Sequence, residues 1–159
     1  MSKKKKKDKR KIPPPQFGRR LKKYDYVDRE SVYAIAFNEK NELLVAKSRG
    51  RLVLPGGGVE KGEKPKQALR REVLEETGWK VKVVKKIGKA NQWGYSVRKK
   101  LATNKHGKFY LVRLVRKLHG PIEEDHYEKW LPPEKALKRL NRRFHRWALE
   151  QCLYKLGKG

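Results

Sequence analysis

The stretch that decides the fold is residues 57–79, GGVEKGEKPKQALRREVLEETGW. Pro65 suits the first turn of a helix, residues 66–77 are mostly strong helix formers, and Gly78 supplies a C-terminal stop. Glu72, Glu75 and Glu76 stand at i, i+3 and i+4, so at about 100° per residue they share an arc roughly 100° wide and repel by tenths of a kcal/mol per pair. Such crowding needs an offset. Either Arg70 and Arg71 balance a solvated acidic face, or bound divalent cations take the hard carboxylate oxygens. Leu69 and Val73 lie on an adjoining arc and are expected to anchor the helix to a sheet. The acidic arc then opens toward Gly56, Gly57 and Gly58, read as a tight loop in backbone conformations that other residues resist.

Outward from this unit the pattern is a series of short β-favouring runs. Residues 31–37 and 42–46, separated by the polar run 38–41 (NEKN), read as a hairpin, and residues 51–54 as a third strand stopped by Pro55. Residues 79–87 and 108–118 read as further strands joined by an aromatic, basic connection over 91–107, with one more short strand at 126–131. After Pro132 and Pro133 come a short helix at 134–140 and a longer one at 142–154. In the latter, Phe144, Trp147, Ala148 and Cys152 recur at helical spacing and should cover one face of the sheet. Mixed strands with helices before and after them predict a layered α/β domain rather than a bundle or a barrel.

The chain has 159 residues, 36% of them hydrophobic and 38% charged, which fits one small core under a heavily ionised surface. Lys and Arg total 44 against 17 Asp and Glu, a formal +27, so an anionic partner or substrate is expected. Residues 1–11 hold eight bases and one acid, yet most of the excess lies elsewhere: no Asp or Glu occurs between Glu76 and Glu123. Residues 1–25, with a lysine run and Pro13, Pro14 and Pro15, are read as a disordered basic arm that could touch RNA or anionic lipid, and residues 26–157 as the folded domain. No apolar run approaches the roughly 18 residues of a membrane span, and the charged N-terminus lacks the apolar stretch of a secretory signal. A lone cysteine, Cys152, makes no internal disulfide, and a reducing, cytoplasmic location fits best.

Residues 57–79 resemble the Nudix box, whose pattern is G, five residues, E, seven residues, R, E, an aliphatic residue, any residue, E, E, any residue, G and a bulky apolar residue. Gly57, Glu63, Arg71, Glu72, Val73, Glu75, Glu76 and Gly78 fill it, and Trp79 takes the last, usually aliphatic, place. The resemblance implies an α/β/α sandwich around a mixed β-sheet and hydrolysis of a pyrophosphate linkage in a nucleoside diphosphate joined to another moiety, dependent on Mg2+ or Mn2+. By the same resemblance Glu72, Glu75 and Glu76 hold the metal, and one of them or another nearby acid activates water. Glu63 and Arg71 form an orienting ion pair, and a carbonyl of Gly56 or Gly57 adds a ligand. In the cluster Glu123, Glu124, Asp125 and Glu128, the last is the candidate extra ligand or general base, while Glu123 and Glu124 read as a solvated turn.

Trp93, Tyr95 and Tyr110 sit near the basic connection and could stack on a base; with Arg51 and Lys108 they form the set expected to bind substrate. His106, His119, His126 and His145 have no metal-site spacing and carry no catalytic expectation. The acid-free middle favours a substrate with several phosphates, such as a nucleoside triphosphate or dinucleoside polyphosphate. The alternatives are removal of pyrophosphate from the 5′ end of RNA and, in another class, a nucleic-acid-binding module with a non-catalytic fold. The intact glutamates argue against that last reading.

Overall fold

Residues 32–36 are apolar without interruption and buried on both faces, which forces them into the middle of a sheet. The computed structural model, which describes residues 12–120 and 126–157, places them there. In chain order the elements are β1 (Gln16–Phe17), β2 (Tyr26–Ile35), β3 (Leu43–Ser48), β4 (Arg51–Val53), β5 (Gly56–Gly58), α1 (Pro65–Thr77), β6 (Trp79–Ser96), β7 (Leu101–Lys117), β8 (His126–Leu131), α2 (Pro133–Arg139) and α3 (Arg143–Lys155). Among the described residues one sheet runs β1-β6-β7-β2-β5 and a second runs β4-β3-β8. The first is mixed: β1 with β6 and β7 with β2 are parallel, while β6 with β7 and β2 with β5 are antiparallel.

Successive residues of a strand point to opposite faces, and each face of the larger sheet has its own helix. Val32 and Ala34, with Tyr110 and Val112, pack on Ala68, Leu69 and Val73 of α1. Tyr33 and Ile35, with Phe109, pack on Phe144, Ala148 and Leu149 of α3. The result is the expected α/β/α sandwich. Helix α1 begins at Pro65 and ends at Gly78, whose φ of 78° is left-handed and whose N–H donates to the Leu74 carbonyl at 2.8 Å.

Four expectations change. Residues 31–37 and 42–46 form a corner rather than a hairpin. They meet at a Phe37–Leu43 bridge, where Asn38 Oδ1 accepts from the Lys40 and Glu42 N–H groups, and then part into different sheets. A strand buried on both faces needs a neighbour on each side, and β7 and β5 take those places. The glycines 56–58 form an edge strand on β2 instead of a loop; a Cβ on Gly56 would overlap the Val32 carbonyl oxygen, so only glycine allows that pairing.

The connection over 91–107 is mostly strand, since β6 and β7 stay paired out to Ser96 and Leu101. Its many lysines hid the alternation. Within the presumed arm, β1 pairs with Asn91 and Gln92, Phe17 lies 6.4 Å from the Trp147 ring, and Tyr24 stacks on Tyr95 with centroids 4.1 Å apart. Ordered structure therefore begins before residue 26, because Phe17 and Tyr24 bring apolar area that the lysine and proline content masked. Residues 1–11 lie outside the described part.

Candidate active site

Leu69 and Val73, both fully buried, fix the rotation of α1 so that Glu72 and Glu76, one turn apart, face β5. The Gly56 N–H donates to Glu76 Oε1 at 2.8 Å, and Glu76 is only 8% exposed. A Cβ on Gly57 would stand 2.5 Å from Glu72 Oε2, so the missing side chain is what makes room for that carboxylate. The Glu75 side chain is 38% exposed.

Arg71 organises the acids. Its Nε and one terminal nitrogen donate to the two oxygens of Glu63 at 2.6 and 2.9 Å, a bidentate fork, and that terminal nitrogen also reaches the Gly58 carbonyl at 3.2 Å. The other terminal nitrogen lies 3.3 Å from Glu72 and 3.4 Å from Glu75. Arginine thus offsets part of the carboxylate repulsion and ties α1 to β5. The Arg71 hydrogen bonds, helped by the Glu60 N–H, pull the Glu63 carboxyl down to about 2.

Among the described residues no three acids converge as a ready-made metal cage. The donor chemistry nevertheless fits a hard divalent cation. Glu72, Glu75 and Glu76 supply anionic oxygens, and the absence of a side chain at Gly57 brings the Glu72 carboxylate up to the strand backbone.

Beside this ridge lies a cleft of about 400 Å³. Arg29, Arg49, Arg98, Lys99, Lys105 and Arg142 line it, against the acids Glu30 and Glu76. Burial, then Arg142, Lys99 and Arg29, pushes the Lys105 ammonium down to about 8. Tyr33 forms part of the wall, and burial pushes its phenol up.

The structure brings Glu63, Arg71, Glu72, Glu75, Glu76, Gly56 and Gly57 together. Glu128, on β8, accepts from Trp79 Nε1 at 3.3 Å and is ion-paired with Lys117. Glu123, Glu124 and Asp125 lie outside the described residues. Arg51 is exposed on β4 and does not line the cleft. Trp93 and Tyr95 pack with Tyr24, Tyr26 and Arg20 on the other face of the sheet. Lys108 shares that face with Asp28 and His106 in a separate pocket, and Tyr110 is buried under α1.

Sequence reasoning missed Arg29, Lys105 and Arg142. The available signal was parity: with 101–117 read as one strand, Thr103 and Lys105 share the face of Phe109. His145 is fully buried among Tyr33, Phe109 and Phe144, accepts the Leu54 N–H on Nδ1 at 3.2 Å, and is pushed well below its usual pKa by burial.

Residues 27–152 match the family model described as NUDIX domain. The chain belongs to the Nudix family. A solved structure of a MutT protein from Methanosarcina mazei Go1 is 26% identical with a TM-score of 0.63, covering 86% of this chain and 99% of that one. A Bacillus subtilis (strain 168) protein with the provisional name 8-oxo-dGTP diphosphatase is 38% identical over 61 residues, 37% of this chain and 41% of the relative. An RNA pyrophosphohydrolase of Bartonella quintana (strain Toulouse) is 36% identical over 78 residues, 49% of this chain and 34% of the relative. The chain thus spans less than half the length of either curated relative. Divalent-metal dependence is a general property of Nudix hydrolases.

The Arg71–Glu63 clamp predicts a pH signature. A carboxyl lowered from 4.5 to about 2 contributes stability that is fully present above pH 4.5 and lost as pH falls toward 2. Thermal melts of the chain and of Glu63→Gln should differ at neutral pH, with the chain more stable, and converge near pH 2. A constant gap would show that the clamp is not the cause.

Proposed function

We propose that this Nudix chain is a divalent-metal-dependent pyrophosphohydrolase that cleaves a phosphoanhydride bond in a nucleoside diphosphate carrying further phosphates, as in a nucleoside triphosphate or dinucleoside polyphosphate. One juxtaposition carries the reading: an acidic ridge fixed to β5 borders a cleft lined by six cationic side chains and two acids. Attack of water on a phosphorus crowded by negative oxygens requires neutralisation of the diphosphate and a correctly placed nucleophile. Mg2+ or Mn2+, when bound, would supply both, and Glu72, Glu75 and Glu76 with a carbonyl of Gly56 or Gly57 would hold it.

The chain's own groups do the remaining work. Glu63 and Arg71 hold the ridge in register, and Gly56 N–H fixes the Glu76 carboxylate. Arg29, Lys105 and Arg142 receive the non-bridging phosphate oxygens. Glu128, engaged by Lys117 and Trp79, braces the C-terminal end of α1 in this reading. Cytoplasmic residence fits a lone, buried thiol.

Removal of pyrophosphate from the 5′ end of RNA is the second reading. Arg98 and Lys99, in the β6–β7 turn, could meet the next phosphate of a strand, and the Bartonella relative bears that activity in its name. The basic arm would add an RNA contact.

Glu75→Gln and Glu76→Gln should each lower kcat by roughly 10² or more with unchanged circular dichroism, measured as phosphate or pyrophosphate release from a nucleotide panel with Mg2+. Full turnover in both variants would contradict the assignment. Binding of a non-hydrolysable triphosphate near pH 8 should be accompanied by proton uptake, because an anion beside Lys105 raises a pKa that now lies at about 8. Calorimetry in buffers of different ionisation enthalpy reads this directly, and Lys105→Gln should abolish it.

A further inference from the structure

The β6–β7 hairpin carries cationic residues directly opposite one another. Lys80 faces Arg116 and Lys82 faces Arg113, while the alternating Val81 and Val83 turn to the α1 side with Leu114 and Val112. Lys80, Lys82, Arg113 and Arg116 therefore share the face that holds α3, and all four are exposed. Like charges directly opposite in a sheet destabilise it. Among the described residues no side-chain hydrogen bond or ion pair engages any of the four.

Elsewhere the same hairpin tempers its bases. Lys117 is paired with Glu128, and the Lys89–Lys108 row borders a pocket that includes Asp28 and Glu30. Among the described residues no acid is paired with the distal ladder, and Val84 and Val115 beside it are 55% and 45% exposed.

From these observations we infer that the Lys80–Arg116 and Lys82–Arg113 ladder binds the phosphodiester backbone of a single-stranded polynucleotide. On β6, Lys80 and Lys82 are two residues and about 6.6 Å apart, close to the separation of successive phosphates along such a strand; a bulge opposite them takes up the extra residue between Arg113 and Arg116, and the resulting line of cations matches a linear polyanion better than the plane of a lipid surface. Position supports the same partner. Arg142, immediately before α3, lines the cleft, while Lys155 at the other end of α3 donates to the Ile87 carbonyl on the way to the ladder. A polynucleotide whose end sits in the cleft could follow the roughly 20 Å length of α3 to reach it. The inference does not depend on hydrolysis, because the ladder lies outside the cleft.

The test uses the full chain and fluorescently labelled 12-nucleotide RNA and DNA with 5′-hydroxyl ends, which offer no phosphoanhydride. Affinity is measured by anisotropy across a salt series, with phosphatidylserine vesicles as a parallel arm. Lys82→Gln with Arg113→Gln should weaken binding roughly three- to tenfold and reduce the salt slope by about 1.4, two contacts at about 0.7 each for a single strand. Lys82→Glu, which converts a repulsive row into an attractive one, should raise the melting temperature and still lower polynucleotide affinity. Turnover of a small nucleotide should be unchanged in both variants. A difference between the RNA and DNA arms identifies which polynucleotide is preferred, and either one supports the inference. It is overturned by unchanged affinity and slope for both strands, or by a loss confined to the vesicle arm.

Discussion

Two glycines let a strand backbone meet two carboxylates, and much of the domain keeps that contact in place. Gly56 offers its N–H to Glu76, and Gly57 leaves the space that Glu72 occupies. Neither contact survives unless α1 holds its rotation and distance from β5. Leu69 and Val73 set the rotation through burial, Gly78 ends the helix so that β6 can return along the sheet, and the Arg71–Glu63 fork ties the helix to the loop that follows β5. Exposed ion pairs contribute little. This one is bidentate and half-shielded, with a neighbouring backbone donor on the same carboxylate.

The charge of the chain is sorted by place rather than spread evenly. Cations in the cleft face an acidic ridge, so under the proposed function a polyphosphate would meet positive side chains while its anhydride bond approached carboxylates that need a cation between them and it. On the far end of the same face the β6–β7 ladder repeats positive charge without any described acid to balance it. Helix α3 spans the interval between the two, packed on β6 through Trp147 and Gly88. One face of the sheet therefore carries both anion-attracting regions, and the opposite face near Trp93 and Tyr95 is closed by Arg20, Tyr24 and Tyr26.

How much could be read beforehand follows from the range of the interactions. Helix α1, its ends and its acidic arc depend on residues within a few positions of one another, so Pro65, Gly78 and the i, i+3, i+4 glutamates were legible. The partners of β2 were not, because pairing with β7 joins residues some 75 positions apart and a local turn at Asn38 resembles a hairpin until the distant strands are considered. The cleft cations were hidden for a related reason. Lys105 and Lys108 look alike in a basic stretch, and only strand parity separates the one in the cleft from the one behind it. Trp93 and Tyr95 looked available for a base because their true neighbours, Tyr24 and Tyr26, lie in a segment whose composition argued against order.

The most direct measurement is a Mn2+ titration followed by electron paramagnetic resonance on the chain and on Gly57→Ala, whose added methyl group displaces the Glu72 carboxylate while every acid stays in the sequence. A seat for a divalent ion against β5 predicts saturable binding in the unaltered chain and at least a tenfold weaker site in the variant, with the same far-ultraviolet circular dichroism. Equal Mn2+ affinity in the two proteins, or no saturable site in either, would contradict it.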